Sequence, residues 1–404
     1  MNRTIIAAAL LAAVSAPALA ATHTVEAGEG AQERLQEALI LAEPGDEVVL
    51  GAGRFDLDDG LSLDVNNVIV RGAGMNATVL DFTRQQGAGE GLLVTSDNVT
   101  LRDFALENPH GDGIKSKGAD NIVYQRMRVT WTGGPKETNG AYGLYPVEST
   151  GVLIVDSEVA GASDAGIYVG QSKGITVRGN MARHNVAGIE IENSRDAVVE
   201  NNFVTGNTGG ILVFDLPSLP VMGGGNTVIR HNLVAHNTTA NFAPKGNIVA
   251  GVRRGTGIMV MANDGVLIEG NTIVDNPTAP VMVVAYPMTF DDKTYNPYPR
   301  NVVVGANIVE RGGYDPQIDG KEALLAAFGG SLPPVLWDGL TQEGTVALRV
   351  DPALAGWTLG LAKQGGGLVV ADAKPAPLKV AAPAAGFALT GVGAPAELEA
   401  RLVP

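Results

Sequence analysis

Along this chain of 404 residues, lysine, tyrosine and glutamate recur at matching offsets from a repeated glycine. Lys115, Tyr145, Tyr168 and Glu190 each stand two residues after Gly113, Gly143, Gly166 and Gly188; Lys117 and Glu192 stand four after theirs. Residues two and four along a strand share a face, so stacked copies would align these side chains. Lysines neutralise carboxylates, tyrosines stack on sugar rings or pass protons, and adjacent carboxyls serve acid–base chemistry or hold a cation. A solvated stripe would use the same residue types. Asp112 and Asp164, near their strand starts, fit a turn cap or a ligand contact. His110, in Asn108-Pro109-His110-Gly111-Asp112-Gly113, precedes an outward lysine and is a further lining candidate.

The elements that would carry these residues repeat. Gly, then Ile or Leu, any residue, then usually an aliphatic recurs from Gly91, Gly113, Gly143, Gly166, Gly188, Gly210 and Gly257. The unit is about 22 residues, and the longer steps are units with insertions. A second strand follows in each unit, as in Gly174-Ile175-Thr176-Val177-Arg178-Gly179-Asn180, and a second Asn closes it at Asn185, Asn207, Asn237 and Asn276. Short β-branched strands without intervening helices exclude βαβ crossovers and fit a coil pairing one turn with the next. The Asn columns read as inward corner ladders, and His184 and His236 as turn residues. Insertions at Thr132–Asn139, Asp215–Gly225, Thr238–Gly255 and Tyr286–Pro299 fit either the walls of a groove or tolerated excursions.

Composition narrows the function. With no Cys the chain has no disulfide, thiolate site or cysteine nucleophile, and a net charge of −15 argues against a nucleic-acid partner. Asn2-Arg3, the apolar run Ile5–Val14 and Ala18-Leu19-Ala20 read as a secretory leader cleaved after Ala20. No later segment reads as a membrane span, so a periplasmic or secreted protein is expected. Residues 21–50 read as an N-terminal cap, with an amphipathic helix at Ala31–Ala42 and a strand at Glu47–Leu50. Residues 51–315 read as the solenoid and 316–404 as a C-terminal cap or tail, with a short helix at Lys321–Phe328.

Residues 28–313 resemble parallel β-helix proteins of the periplasmic alginate C5-epimerase type, within the pectate-lyase-like superfamily. The sharpest match is Tyr142-Gly143-Leu144-Tyr145-Pro146-Val147-Glu148, where those epimerases read Tyr-Gly-Ile-Asp-Pro-His-Asp. The resemblance implies an all-β, right-handed parallel β-helix with a short N-terminal capping helix and an irregular C-terminal segment. It gives Tyr142 the acid role and puts Tyr145, Val147 and Glu148 at the positions of the first Asp, the base His and the second Asp. Gln171 falls where an arginine would neutralise the uronate. A valine is no base, so proton transfer would fall to Tyr142, Tyr145 or Tyr168 and charge neutralisation to Lys115 and Lys117.

Three readings follow. The first is an enzyme of lyase or uronate C5-epimerase type acting on an acidic polysaccharide, with Tyr142, Tyr145, Glu148 and Tyr168 catalytic. Lys115, Lys117, Asp112, Gln171, Glu190 and Glu192 would bind the substrate. The second is a non-catalytic polysaccharide-binding or assembly protein. The third is a metal-handling accessory resembling periplasmic copper-maturation β-helices, motivated by Met222, His231, Met259 and Met261. No cofactor is assigned, since no specific motif calls for Ca2+ or copper.

Overall fold

In the computed structural model, residues 20–87, 89–364, 367–369, 374–384 and 386–404 are described. The expected leader, Ala20 apart, lies outside them. Each coil contributes one strand to each of three sheets. The front sheet stacks Leu61–Leu63, Leu92–Val94, Ile114–Lys117, Tyr142–Val147, Ala165–Gly170, Ala187–Glu192, Gly209–Phe214, Thr256–Met261, Ala279–Val284, Val335–Trp337 and Gly356–Thr358, all parallel. The rear sheet runs from Thr22–Val25 to Leu348–Val350, and the side sheet from Gly53–Asp56 to Ile308–Glu310. The coil therefore begins before residue 51 and continues beyond 315.

The repeat explains this packing. The aliphatic after each motif glycine points inward, so Ile114, Leu144, Ile167, Ile189, Ile211, Ile258 and Val281 form one fully buried column. The glycine itself allows close stacking: a Cβ on Gly188 would overlap Val204 and approach the Gly210 carbonyl oxygen to 2.8 Å. Corners combine a left-handed residue with an inward polar one. His184 and His236 have φ of 58° and 55°, followed by Asn185 and Asn237. The Nδ2 of Asn185 donates to Asn207 Oδ1 at 3.1 Å, and the ladder continues through Asn237 to Asn276. A parallel ladder runs through Asn180, Asn202, Asn232, Asn271 and Asn307. Each rung satisfies buried groups whose loss would cost about 1–3 kcal/mol.

The first coil is capped, and the C-terminal segments pack along the outside of the sheets. The helix Ala31–Leu41 buries Ala31, Leu35, Ala38 and Leu39 over the first turn. A second helix spans Lys321–Ala327. The last residues turn back along the outside of the rear sheet. Phe387, Leu389 and Val392 pack on Val198, Val228, Leu267 and Val303, and Leu398 and Leu402 on Val123, Leu153 and Val155. Arg178 holds Glu399 with two bonds of 2.8 Å, and Gln125 grips the Val403 backbone through both its amide groups.

Candidate functional site

The front sheet sets the outward columns in register. Lys115 pairs with Tyr145, Tyr168 with Glu190, Glu190 with Leu212 and Leu212 with Met259. Beside them run Lys117, Val147, Gly170, Glu192, Phe214 and Met261. Tyr142, Tyr145 and Tyr168 converge with ring centroids 4.5–4.9 Å apart. The Tyr168 ring folds over Gly170, where a Cβ would overlap it, and its hydroxyl side faces Glu192. A glycine in this column is what lets the ring lie flat across the strand.

Glu190 and Glu192 point outward as the spacing requires, yet they are not a solvated stripe. They are only 1% and 6% exposed, because the insertions roof this half of the face instead of walling an open groove. Leu216, Met222, Phe242, Val249, Val252, Tyr286 and Tyr295 pack with Tyr168, Leu212, Phe214 and Met261 in one apolar cluster. Val252 rests where a Cβ on Gly209 would stand, and the Tyr295 hydroxyl donates to the Asp215 carbonyl at 2.7 Å.

Burial on this face favours the protonated form of its carboxyls. Burial pushes Glu192 up to about 7, against the opposing Tyr168 hydroxyl. Asp164 and Glu190 are raised by burial and by neighbouring carboxylates, and Asp112 reaches about 6 through burial, partly offset by Lys115. Asp164 Oδ1 and Glu190 Oε1 are buried without a hydrogen-bond partner. Such orphaned oxygens are rare and fit neutral carboxyls poised to exchange a proton.

The same surroundings disfavour a tyrosinate base. Burial and the adjacent carboxylates raise Tyr142, Tyr145 and Tyr168 well above an ordinary phenol, which favours their proton-donating form. Lys115 is also less available than its position suggests. Its Nζ lies 2.9 Å from Glu90 and 4.0 Å from Asp112, and 5.1 Å from the Tyr145 ring centroid. Glu90 was not singled out from the sequence, although Glu90 and Asp112 each immediately precede a motif glycine. Asp215, in an insertion, was also missed.

The remaining candidates stand apart. Glu148 and Gln171 occupy the front-to-rear corner with φ of 56° and 52°; Glu148 is exposed and Gln171 Oε1 lacks a partner. Lys117 is exposed, and Val147, at the position of the expected base, is buried beside it. Met222, Met259 and Met261 belong to the apolar cluster, while His231 turns the rear-to-side corner with φ of 55°, so the copper set does not assemble. No group of three or more His, Cys, Asp or Glu among the described residues could hold a metal ion. No helix there is long and apolar enough to cross a membrane.

The family model described as the right handed beta helix region matches residues 66–221 and 141–315. The chain belongs to this family. Its right-handed β-helix is similar to the A-module of the Azotobacter vinelandii mannuronan C-5 epimerase AlgE4, at 17% identity and TM-score 0.57, over 82% of this chain and 94% of that one. It is also similar to the catalytic unit of a thermostable α-1,3-glucanase from Streptomyces thermodiastaticus, at 16% identity and TM-score 0.52, over 84% and 62%. A third likeness is to DFA-IIIase from Arthrobacter chlorophenolicus, at 14% identity and TM-score 0.50, over 82% and 94%. At these identities the likeness carries the fold alone. No curated protein sequence matches this β-helix chain.

Proposed function

We propose that this β-helix protein is an exported enzyme that acts on a polysaccharide laid across Lys115, Tyr145 and Tyr142. Proton transfer falls to Glu192 and Asp164, with Tyr168 and Tyr142 as the hydroxyl donors beside them. The observation that carries the reading is the set of buried, protonatable carboxyls against a tyrosine cluster, Glu192 facing the buried Tyr168 and Asp164 the partly exposed Tyr142. A carboxyl titrating near neutrality can give a proton to a glycosidic oxygen and take it back from water. The leader at residues 1–20 supports export, and the named structural neighbours include enzymes acting on carbohydrate bonds.

Charge decides the reaction type. The cluster holds carboxyls, and the cation of the tyrosine column, Lys115, is paired with Glu90. Neutral carboxyls supply a proton for a glycosidic oxygen, the fraction that ionises favours positive charge at the sugar ring, and no cation of this cluster balances the carbanion-like intermediate of uronate epimerisation or elimination. Cleavage of a glycosidic bond with water is therefore the first reading. Uronate lyase or C5-epimerase action is the second, favoured by the segment Tyr142–Glu148 and by the Lys115–Lys117 column.

A panel of neutral and acidic polysaccharides tests this, read by released reducing ends, by unsaturated-uronate absorbance and by uronate configuration. Reducing ends without unsaturation are expected. Unsaturated ends or inverted uronates would move the assignment to the second reading. Binding without any turnover would make the protein a non-catalytic polysaccharide binder.

A further inference from the structure

Where the chain leaves the side sheet after Glu107 and Thr130 lies a recess that the proposed chemistry does not use. It measures about 550 Å3 and is lined chiefly by Asn108, Pro109, His110, Trp131, Thr132 and Lys136. Its frame is rigid, because its polar groups bond to one another. Trp131 Nε1 donates to the Pro109 carbonyl at 2.8 Å, Asn108 Oδ1 accepts from Thr132 N and Oγ1, and Asn108 Nδ2 donates to Thr83 Oγ1 at 2.9 Å. Asn139 closes the neighbouring turn through the Gly134 carbonyl.

Two groups in this frame remain unspent. Neither the His110 ring nor the Lys136 ammonium makes a hydrogen bond or ion pair among the described residues, and both are exposed. No acidic side chain lines the recess, in a chain whose net charge is −15. Lys115, Arg54, Arg126, Arg178, Arg183 and Arg230 are matched to carboxylates. Lys136 shares its exposure with Lys117, Lys245 and Lys293 and differs from them in lining a recess together with His110. An unmatched basic recess in an acidic protein is a place for an anion brought by a ligand.

Its position fixes the kind of ligand. The His110 backbone nitrogen donates to Gln85 Oε1 at 2.8 Å, and Gln85 Nε2 donates to the Glu90 carbonyl at 3.2 Å. Gln85, 2% exposed, thus ties the recess to the residue that holds Lys115. His110 stands two residues before Asp112, whose carboxylate lies 4.0 Å from the Lys115 ammonium, so a polymer seated on Lys115 and Tyr145 has this recess next along the same coil. We infer that the His110–Lys136 recess is a subsite for a sugar bearing a carboxylate or sulfate, so that the polysaccharide is anionic. This rests on the polysaccharide reading above, and it moves recognition of the negative charge from the paired Lys115 to the free His110 and Lys136.

Calorimetry with neutral, uronate and sulfated oligosaccharides of equal length tests it, at low and at physiological salt. The double variant His110→Gln, Lys136→Ala alters exposed side chains only, and its melting temperature should equal that of the parent. About tenfold weaker binding of one charged oligomer is expected, with neutral binding unchanged and the salt dependence lost; the uronate and sulfate arms identify the anion. Unchanged binding of both charged oligomers, or an equal loss for the neutral one, would overturn the subsite while leaving the polysaccharide reading intact. Free glucuronate and sulfate, titrated against the His110 ring resonances, provide a probe independent of turnover. If no oligosaccharide binds and neither ion shifts those resonances, the subsite and the polysaccharide reading both fall.

Discussion

The Lys115 ammonium lies 2.9 Å from the Glu90 carboxylate, one coil before it on the front sheet. Both groups are about a quarter exposed, so water and salt weaken the pair, but its charge is balanced in the resting protein. Replacing Glu90 by Gln should release Lys115 and tighten binding of a uronate oligosaccharide by about three- to tenfold at low salt. Lys115→Ala alone should change binding by about twofold or less. Calorimetry on both variants checks this; a large loss in Lys115→Ala with no gain in Glu90→Gln would show that the Glu90 pairing does not hold Lys115 back from the substrate.

Stability should fall as the buried carboxyls are forced to ionise. Glu192 titrates at about 7 in the folded chain against a reference of 4.5, so the fold binds the extra proton between those values. The resulting stabilisation is complete below about pH 4.5 and is lost as pH rises through 7, an effect on the order of 3 kcal/mol. Glu192→Gln should flatten this part of the profile. Denaturant melts of parent and variant at pH 5 and pH 8 measure it, and parallel profiles would place Glu192 in water.

Gly188→Val should harm folding far more than Glu190→Gln. The valine would drive into Val204 and the Gly210 carbonyl, costing about 3 kcal/mol or preventing folding. The Gln keeps the shape of a neutral Glu190 and cannot ionise, so it should match the parent at pH 5 and exceed it at pH 8. Equal melting temperatures for the two variants would contradict the register of the front sheet.

The register was legible because one rule, glycine followed by an inward aliphatic, repeats from Gly91 to Gly257. It placed Lys115, Tyr145, Tyr168 and Glu190 in one column, as the pairing of their strands shows. The environment of that column was not legible. What buries Glu190 and Glu192 is a set of insertions with no repeat, and Val252 settling against Gly209 is a contact far apart in sequence. The state of Lys115 was hidden for a related reason: Glu90 sits outside the two outward offsets that the repeat defines. Periodicity reports the direction of a side chain from its own strand, whereas protonation depends on what irregular chain covers it.

Deleting residues 387–404 should uncover apolar side chains on the rear sheet. Val198, Val228, Leu267 and Val303 lose Phe387, Leu389 and Val392, and Val123, Leu153 and Val155 lose Leu398 and Leu402. Fully burying one such side chain is worth about 1.5–3 kcal/mol, so the melting temperature should drop by several degrees and the shortened chain should associate. Calorimetric melting and light scattering read the two effects. An unchanged melting temperature in a monomeric shortened chain would show that the returning segment contributes no cover.

Turnover by the Glu192→Gln variant, on whichever polysaccharide the parent cleaves, tests most directly the assignment of proton transfer to the carboxyl cluster. Loss of about a hundredfold or more in kcat is expected, with KM nearly unchanged, because the variant keeps the tyrosine face and loses the proton. The control Asp58→Asn, an exposed change far along the coil from the cluster, should retain full activity. Cleavage by Glu192→Gln at the parent rate would contradict the assignment of proton transfer to the buried carboxyl cluster.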